Sequence, residues 1–164
     1  MNSEDLYDKD GDLAEENEAN ETSAPAISDD FEVVLNRRAP KGDVFIQVFP
    51  RTRHWIRAGV RPEKIYREDK DLNGNYFAFE KTMKDPTFNI VDGVRYVKFR
   101  CQIALTELEI EISFSHIEIA YLDGSGQLGN FMQVKEGTQE CGELENAFEI
   151  VLSNLAAYLS KVKN

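Results

Sequence analysis

From residue 95 to residue 121 the chain alternates apolar and polar residues almost without a break. An alternation this long belongs in a sheet with one face buried, and few sequence features restrict a fold more. Val97, Phe99, Cys101, Ile103 and Leu105 interleave with Tyr96, Lys98, Arg100 and Gln102. Leu108, Ile110, Ile112 and Phe114 then interleave with Glu107, Glu109, Glu111 and Ser113. The pattern predicts a hairpin turning near residues 104–107. Cations on the outer face of one arm meet glutamates on the other, which favours antiparallel register. At Ser115-His116 the parity inverts, so that Ile117, Ile119 and Tyr121 point inward. A bulge or corner is expected there.

Shorter strands are predicted around this hairpin. Residues 31–36 (FEVVLN) read as the first strand, and residues 75–80 (NYFAFE) as a strand with Phe77 and Phe79 on one face. Asn73-Gly74 is a hairpin signal ahead of it. Pro62 opens a single helical turn over residues 62–67, residues 123–130 form a loop, and residues 131–135 a last strand. Residues 142–163 carry Leu144, Phe148, Val151, Leu155, Tyr158 or Leu159, and Val162 at helical spacing. Glu143 and Glu145 at the start, with Lys161 and Lys163 at the end, suit the helix dipole.

The fold class is therefore α+β, with roughly seven antiparallel strands in a curved sheet or small open β-barrel, closed by one C-terminal amphipathic helix. Strands first and one long helix last, with the ISFSHIEIAYL corner before the final strand, resembles pleckstrin-homology-like barrels in outline. That resemblance implies architecture and no ligand.

Charge divides the 164 residues into three parts. Residues 1–32 hold twelve acids and one lysine; residues 37–70 hold ten basic groups and four acids. Residues 71–164 hold fourteen acids and eight basic groups, and the whole chain carries −11. Residues 1–30 lack the apolar groups needed to offset ordering entropy, so a disordered acidic tail is expected before a single domain at 31–164. There is no basic-then-apolar leader and no stretch long and apolar enough to span a bilayer. Cys101 and Cys141 lack metal-site spacing. Reduced thiols in a cytoplasmic protein are the expectation.

The candidate binding stretch is residues 43–58, DVFIQVFPRTRHWIRA, which contains the only tryptophan. Read at a strand period of two, Phe45, Phe49, Arg51, Arg53, Trp55 and Arg57 share one face, where rings and guanidinium groups can act together. Three readings of that face stay open. It binds a protein partner with the acidic tail steering or competing; it binds single-stranded nucleic acid and the tail gates it; or its rings are core and its arginines satisfy acids of the same fold. The acidity of the rest of the chain disfavours phosphate polymers and leaves room for a further alternative, a polyanion mimic.

Residues 69–80 match a calcium loop, with Asp69, Asp71, Asn73, Gly74 and Glu80 at positions 1, 3, 5, 6 and 12. The segment behind Gly74 alternates like a strand, so an acidic hairpin turn is the stronger reading and no cofactor is expected. A catalytic pair would have to come from His54, His116, Cys101 and Cys141, and nothing near them stabilises a thiolate. A non-catalytic module is expected. Homodimerisation through the C-terminal helix remains open, because a seam and a sheet-packing stripe read alike.

Overall fold

The alternating run folds as the hairpin it predicts. A computed structural model describes residues 30–38, 48–71, 74–88, 91, 93–106 and 108–161. The acidic tail (apart from Asp30), Phe45, Asn73 and the side chain of Asp71 lie outside these residues. In chain order, β1 is Val33–Arg38 and α1 is Val48–His54, which runs on as π-helical turns Trp55–Val60. Then come β2 (Lys64–Asp71), β3 (Gly74–Lys84), β4 (Val94–Leu105), β5 (Glu109–Leu122), β6 (Met132–Gln133) and α2 (Glu140–Ser160).

The strands form one antiparallel sheet in the order β1-β5-β4-β3-β2, and β6 pairs with the second half of β5. The parity flip is a bulge. Lys98 faces Glu118, yet Arg100 faces Ser115, and His116 takes up the extra residue at φ 53°. A left-handed non-glycine residue bends the strand and re-aims the side chains beyond it. Ile117 is buried on the same side as Phe114 although their numbers differ by three, an odd spacing that in a regular strand gives opposite faces. At this bend β1 ends its pairing and β6 takes over, with Asp30 bridged to Lys135.

Both helices lie on one face of the sheet. Phe148 of α2 stacks on Phe114 of β5 at 4.1 Å and meets Phe99 of β4 edge-on at 5.3 Å. Leu144, Leu152, Leu155 and Leu159 extend that contact with no exposed area. The stripe that reads as a possible dimer seam is thus buried against the protein's own sheet. Arg37 of β1 reaches Glu149 at 3.0 Å on the same helix. Because the helices cover one face of an open sheet, α2 does not cap a closed barrel. Among the described residues, the edges of the sheet are β2 on one side and β1 with β6 on the other.

Two segment readings are corrected. The strand expected over residues 43–58 is helical from Val48 onward. Val48, Thr52 and Ile56, four residues apart, are the buried positions, and they satisfy a helical period as well as alternation would. Pro50 falls in the first turn of α1, where backbone N–H groups have no intrahelical partner, so it costs no hydrogen bond. The helical turn expected over residues 62–67 is instead the entry to β2, which pairs along β3. No described helix is long and apolar enough to cross a membrane.

Candidate binding surface

The helical course of residues 48–60 takes apart the face that alternation assembles. Phe49 stacks on Phe77 of the core at 5.1 Å, and Trp55 is half-buried against the same core. Arg51 points to the end of α2, where its Nη2 donates to the carbonyls of Tyr158 at 2.6 Å and Lys161 at 3.2 Å. The Tyr158 carbonyl also accepts the Lys161 N–H at 3.2 Å, and a guanidinium suits the negative end of the helix dipole. Arg57 donates two hydrogen bonds to Glu68 of β2, at 2.9 and 2.6 Å, and this carboxylate raises the pKa of the guanidinium. Arg53 alone is exposed and aromatic-facing, over the Phe49 ring at 5.7 Å. Four of the predicted side chains, Phe49, Arg51, Trp55 and Arg57, therefore serve the fold, and Phe45 lies outside the described residues.

A basic and aromatic surface does exist, on the other face of the sheet. No described helix covers that face. A bulge in β2 between Ile65 and Arg67 places Tyr66 and Arg67 there together. The Arg67 guanidinium lies 4.7 Å from the centre of Tyr76, and Arg100 lies 4.3 Å from Tyr66. Lys64 approaches Tyr66 from the edge strand at 4.8 Å. Cross-strand register explains the cluster. Ala78 stands opposite Gln102, which stands opposite Ser113, while Tyr76 faces Ala104, which faces Glu111. Small residues in the middle leave a trough of about 320 Å³, with Arg67, Tyr76, Val34 and Glu111 around it.

Polarity runs across this face. Lys64, Arg67, Lys98 and Arg100 lie toward β2–β4, and Glu109, Glu111 and Glu118 along β5. Glu80 sits within the cationic side, accepting from the Tyr66 hydroxyl at 2.7 Å and pairing with Lys98 at 3.5 Å. That hydroxyl, and secondarily Lys98 and Arg100, hold its carboxyl below the ordinary range against a small burial effect.

The hairpin reading of residues 69–80 is correct: Asp69 pairs with Tyr76 and Lys64 with Glu80. Glu80 lies four residues, roughly 13 Å of strand, beyond the residue opposite Asp69. The two carboxylates do not converge on one cation.

The catalytic candidates are also dispersed. Burial pushes the Cys101 thiol well up from its ordinary pKa. Cys141 donates to the Lys135 carbonyl at 3.3 Å. His54 stacks on Tyr158, and His116 sits exposed in the β5 bulge beside Ser115. No described hydrogen bond joins either cysteine to a histidine.

A buried ion-pair cluster fixes one end of the covered face. Arg95 of β4, 2% exposed, binds Asp85 at 2.7 Å and Glu143 of α2 at 2.7 Å. Burial alone would lower its pKa, but hydrogen bonds to Tyr121, Glu143 and Asp85 outweigh that and raise it. Its guanidinium also lies 4.4 Å from the centre of Phe88.

No protein-family model matches the sequence, and no curated protein matches it significantly. Two solved structures are similar. One is a TBP-like protein from Parabacteroides distasonis ATCC 8503, with a TM-score of 0.56 and 10% identity, over 80% of this chain and 95% of that one. The other is a DUF4468 family protein from Bacteroides ovatus ATCC 8483, with a TM-score of 0.47 and 9% identity, over 82% and 89%. The first likeness extends to the fold alone: a curved open antiparallel sheet with a C-terminal helix.

Proposed function

We propose that this protein is a non-catalytic binding module that engages a protein partner through the uncovered face of its sheet. The observation that carries the reading is the cluster of Tyr66 and Tyr76 with Arg67, Arg100 and Lys64 around a trough floored by small residues. Tyrosine and arginine, with tryptophan, are enriched at interface hot spots, tyrosine for its large rigid area and arginine for its multiple donors and stacking plane. The mixed polarity of the face favours a protein over a phosphate polymer, whose uniform charge would meet Glu109, Glu111 and Glu118 along β5. The acidic segment 1–30 acts on the cationic side of the same face, as steering element or competitor.

The test compares co-purified partners of the wild type, Arg67→Glu, Arg100→Glu and the covered-side variant Arg53→Glu. A partner lost by the two open-face variants and retained by Arg53→Glu, at equal melting temperatures, supports the reading. Retention by all three overturns it.

Single-stranded nucleic acid is the second reading, favoured by cations stacked on tyrosines along three adjacent strands. It requires fluorescence anisotropy to report tight, salt-sensitive oligonucleotide binding once residues 1–30 are removed. Absence of binding at low salt removes it.

A further inference from the structure

α1 is pinned at two places that belong to different neighbours. Arg51 in its first turn binds the C-terminal end of α2, and Arg57 in the π-helical turns binds Glu68 of β2. Between the π-helical turns and α2 a cleft of about 450 Å³ lies over β3 and β4. Phe79 and Phe99, almost fully buried, form its floor; Trp55, Val60, Met83 and Val151 form its walls. The lining is mostly apolar, and the volume falls within the ~300–1,000 Å³ of small-molecule sites.

The gap is not imposed by the backbone. Gly59 lines it, and a Cβ built there meets only the Trp55 Cδ1 at 3.6 Å, an ordinary contact. A side chain introduced at this lining position therefore has room beside the Trp55 ring. Two polar groups stand among the apolar walls. Lys81 sends its ammonium to the Arg61 carbonyl at 3.2 Å and forms no ion pair among the described residues. The adjacent acid, Glu63, is occupied by the Thr82 N–H at 2.7 Å. Asn154 adds an amide from α2. A single cation beside an apolar cleft selects a ligand with an apolar body and one anionic head, since neither feature alone satisfies both.

The geometry points to a binding site for a small amphipathic carboxylate, its chain or ring seated between Trp55 and Val151 and its carboxylate on Lys81. This site lies on the helix-covered side of the sheet and does not depend on the protein-binding face proposed above.

Trp55 is the only tryptophan of the chain and lines the cleft, so its emission reports occupancy. The full chain is titrated with octanoate, octylammonium and 1-octanol below their aggregation concentrations, with saturation-transfer NMR as a second readout. The expected result is a saturable change with octanoate, about tenfold tighter than with octylammonium. Lys81→Gln abolishes that preference, leaving octanoate no tighter than 1-octanol. Gly59→Leu blocks all three, and Val151→Phe serves the same purpose should Gly59→Leu fail to fold. The site is refuted if octanoate gives neither signal up to low millimolar concentration. Equal binding of octylammonium, or unchanged octanoate binding by Lys81→Gln or by the folded cleft-filling variant, refutes it equally.

Discussion

Arg95→Met isolates the cost of leaving a buried carboxylate without its cation. Asp85 has a fully buried side chain, and its Oδ2 accepts from Arg95 Nε at 2.9 Å while Nη2 pairs with it at 2.7 Å. Its Oδ1 keeps the Thr87 N–H at 2.8 Å and the Thr87 hydroxyl at 2.7 Å. In the variant one oxygen remains bonded and the charge has no counter-ion. Breaking a buried pair from one side costs about 3–5 kcal/mol, a large part of the roughly 5–15 kcal/mol that holds a domain folded. Glu143 supplies the contrast, because it pairs with the same guanidinium at the same 2.7 Å but its side chain is 45% exposed. Solvent screens that pair, and Glu143→Gln should cost no more than about 1 kcal/mol. The double variant Arg95→Met/Asp85→Leu removes both buried charges and should recover much of the single variant's loss. Urea unfolding followed by Trp55 emission measures all three. A loss below about 1 kcal/mol for Arg95→Met, or no recovery in the double variant, refutes the argument that burial sets the strength of these pairs.

Two glycines, Gly59 and Gly74, should respond to alanine in opposite directions. A Cβ at Gly74 would lie 2.5 Å from the Leu105 backbone oxygen, so Gly74→Ala should destabilise by about 1–3 kcal/mol in the same unfolding assay. Gly59→Ala meets only ordinary contact and restricts the unfolded chain, so it should stabilise by about 0.4–1 kcal/mol. Phe148→Ala, which empties the stack on Phe99 and Phe114, should cost about 3–5 kcal/mol. The lowered pKa of Glu80 makes its contribution full above the ordinary carboxylate pKa of about 4.3 and lost as pH falls through the lower folded value. Tyr66→Phe removes the main cause of that shift, so its urea midpoint should fall less steeply than that of the wild type between neutral and acid pH.

Much of the fold could be read because its signals were long and mutually consistent. The β4–β5 hairpin rests on alternation over more than twenty residues, and even its fault at Ser115-His116 was visible as a change of parity. α2 was equally legible, since Leu144, Phe148 and Leu155 repeat at helical spacing across a span too long for a strand. β2 was not. Its residues, KIYREDKD, show no apolar alternation, because the strand lies at a sheet edge and is exposed over most of its length. An edge strand buries little and so leaves little pattern, and charged residues suit it by discouraging further pairing. Its bulge, which brings Tyr66 and Arg67 to one face, depends on pairing with β3 and has no local signature.

The strand assumed for residues 48–57 was a misreading for a related reason. Residues 48–57 satisfy two periods at once: alternate positions carry Phe49, Arg51, Arg53, Trp55 and Arg57, while every fourth carries Val48, Thr52 and Ile56. Burial decides between them, and burial is a property of what the segment packs against. Once Val48, Thr52 and Ile56 face the sheet, Arg51 and Trp55 turn to one side of the helix and Phe49, Arg53 and Arg57 to another. The arginines then find partners that belong to the fold: the Tyr158 carbonyl for Arg51 and Glu68 for Arg57. The outward positions of β4 were legible throughout, Lys98, Arg100 and Gln102 among them. What one strand's pattern could not give was the neighbour across the register. Tyr66 and Tyr76 become a surface only when β2 and β3 are laid beside β4, so the composition of the candidate face is local while its assembly is wholly long-range. Placing both helices on one face is what leaves that assembly open to solvent, and it is also what leaves the cleft between them. The two proposed sites thus stem from one packing decision, taken where Phe148 meets Phe99 and Phe114.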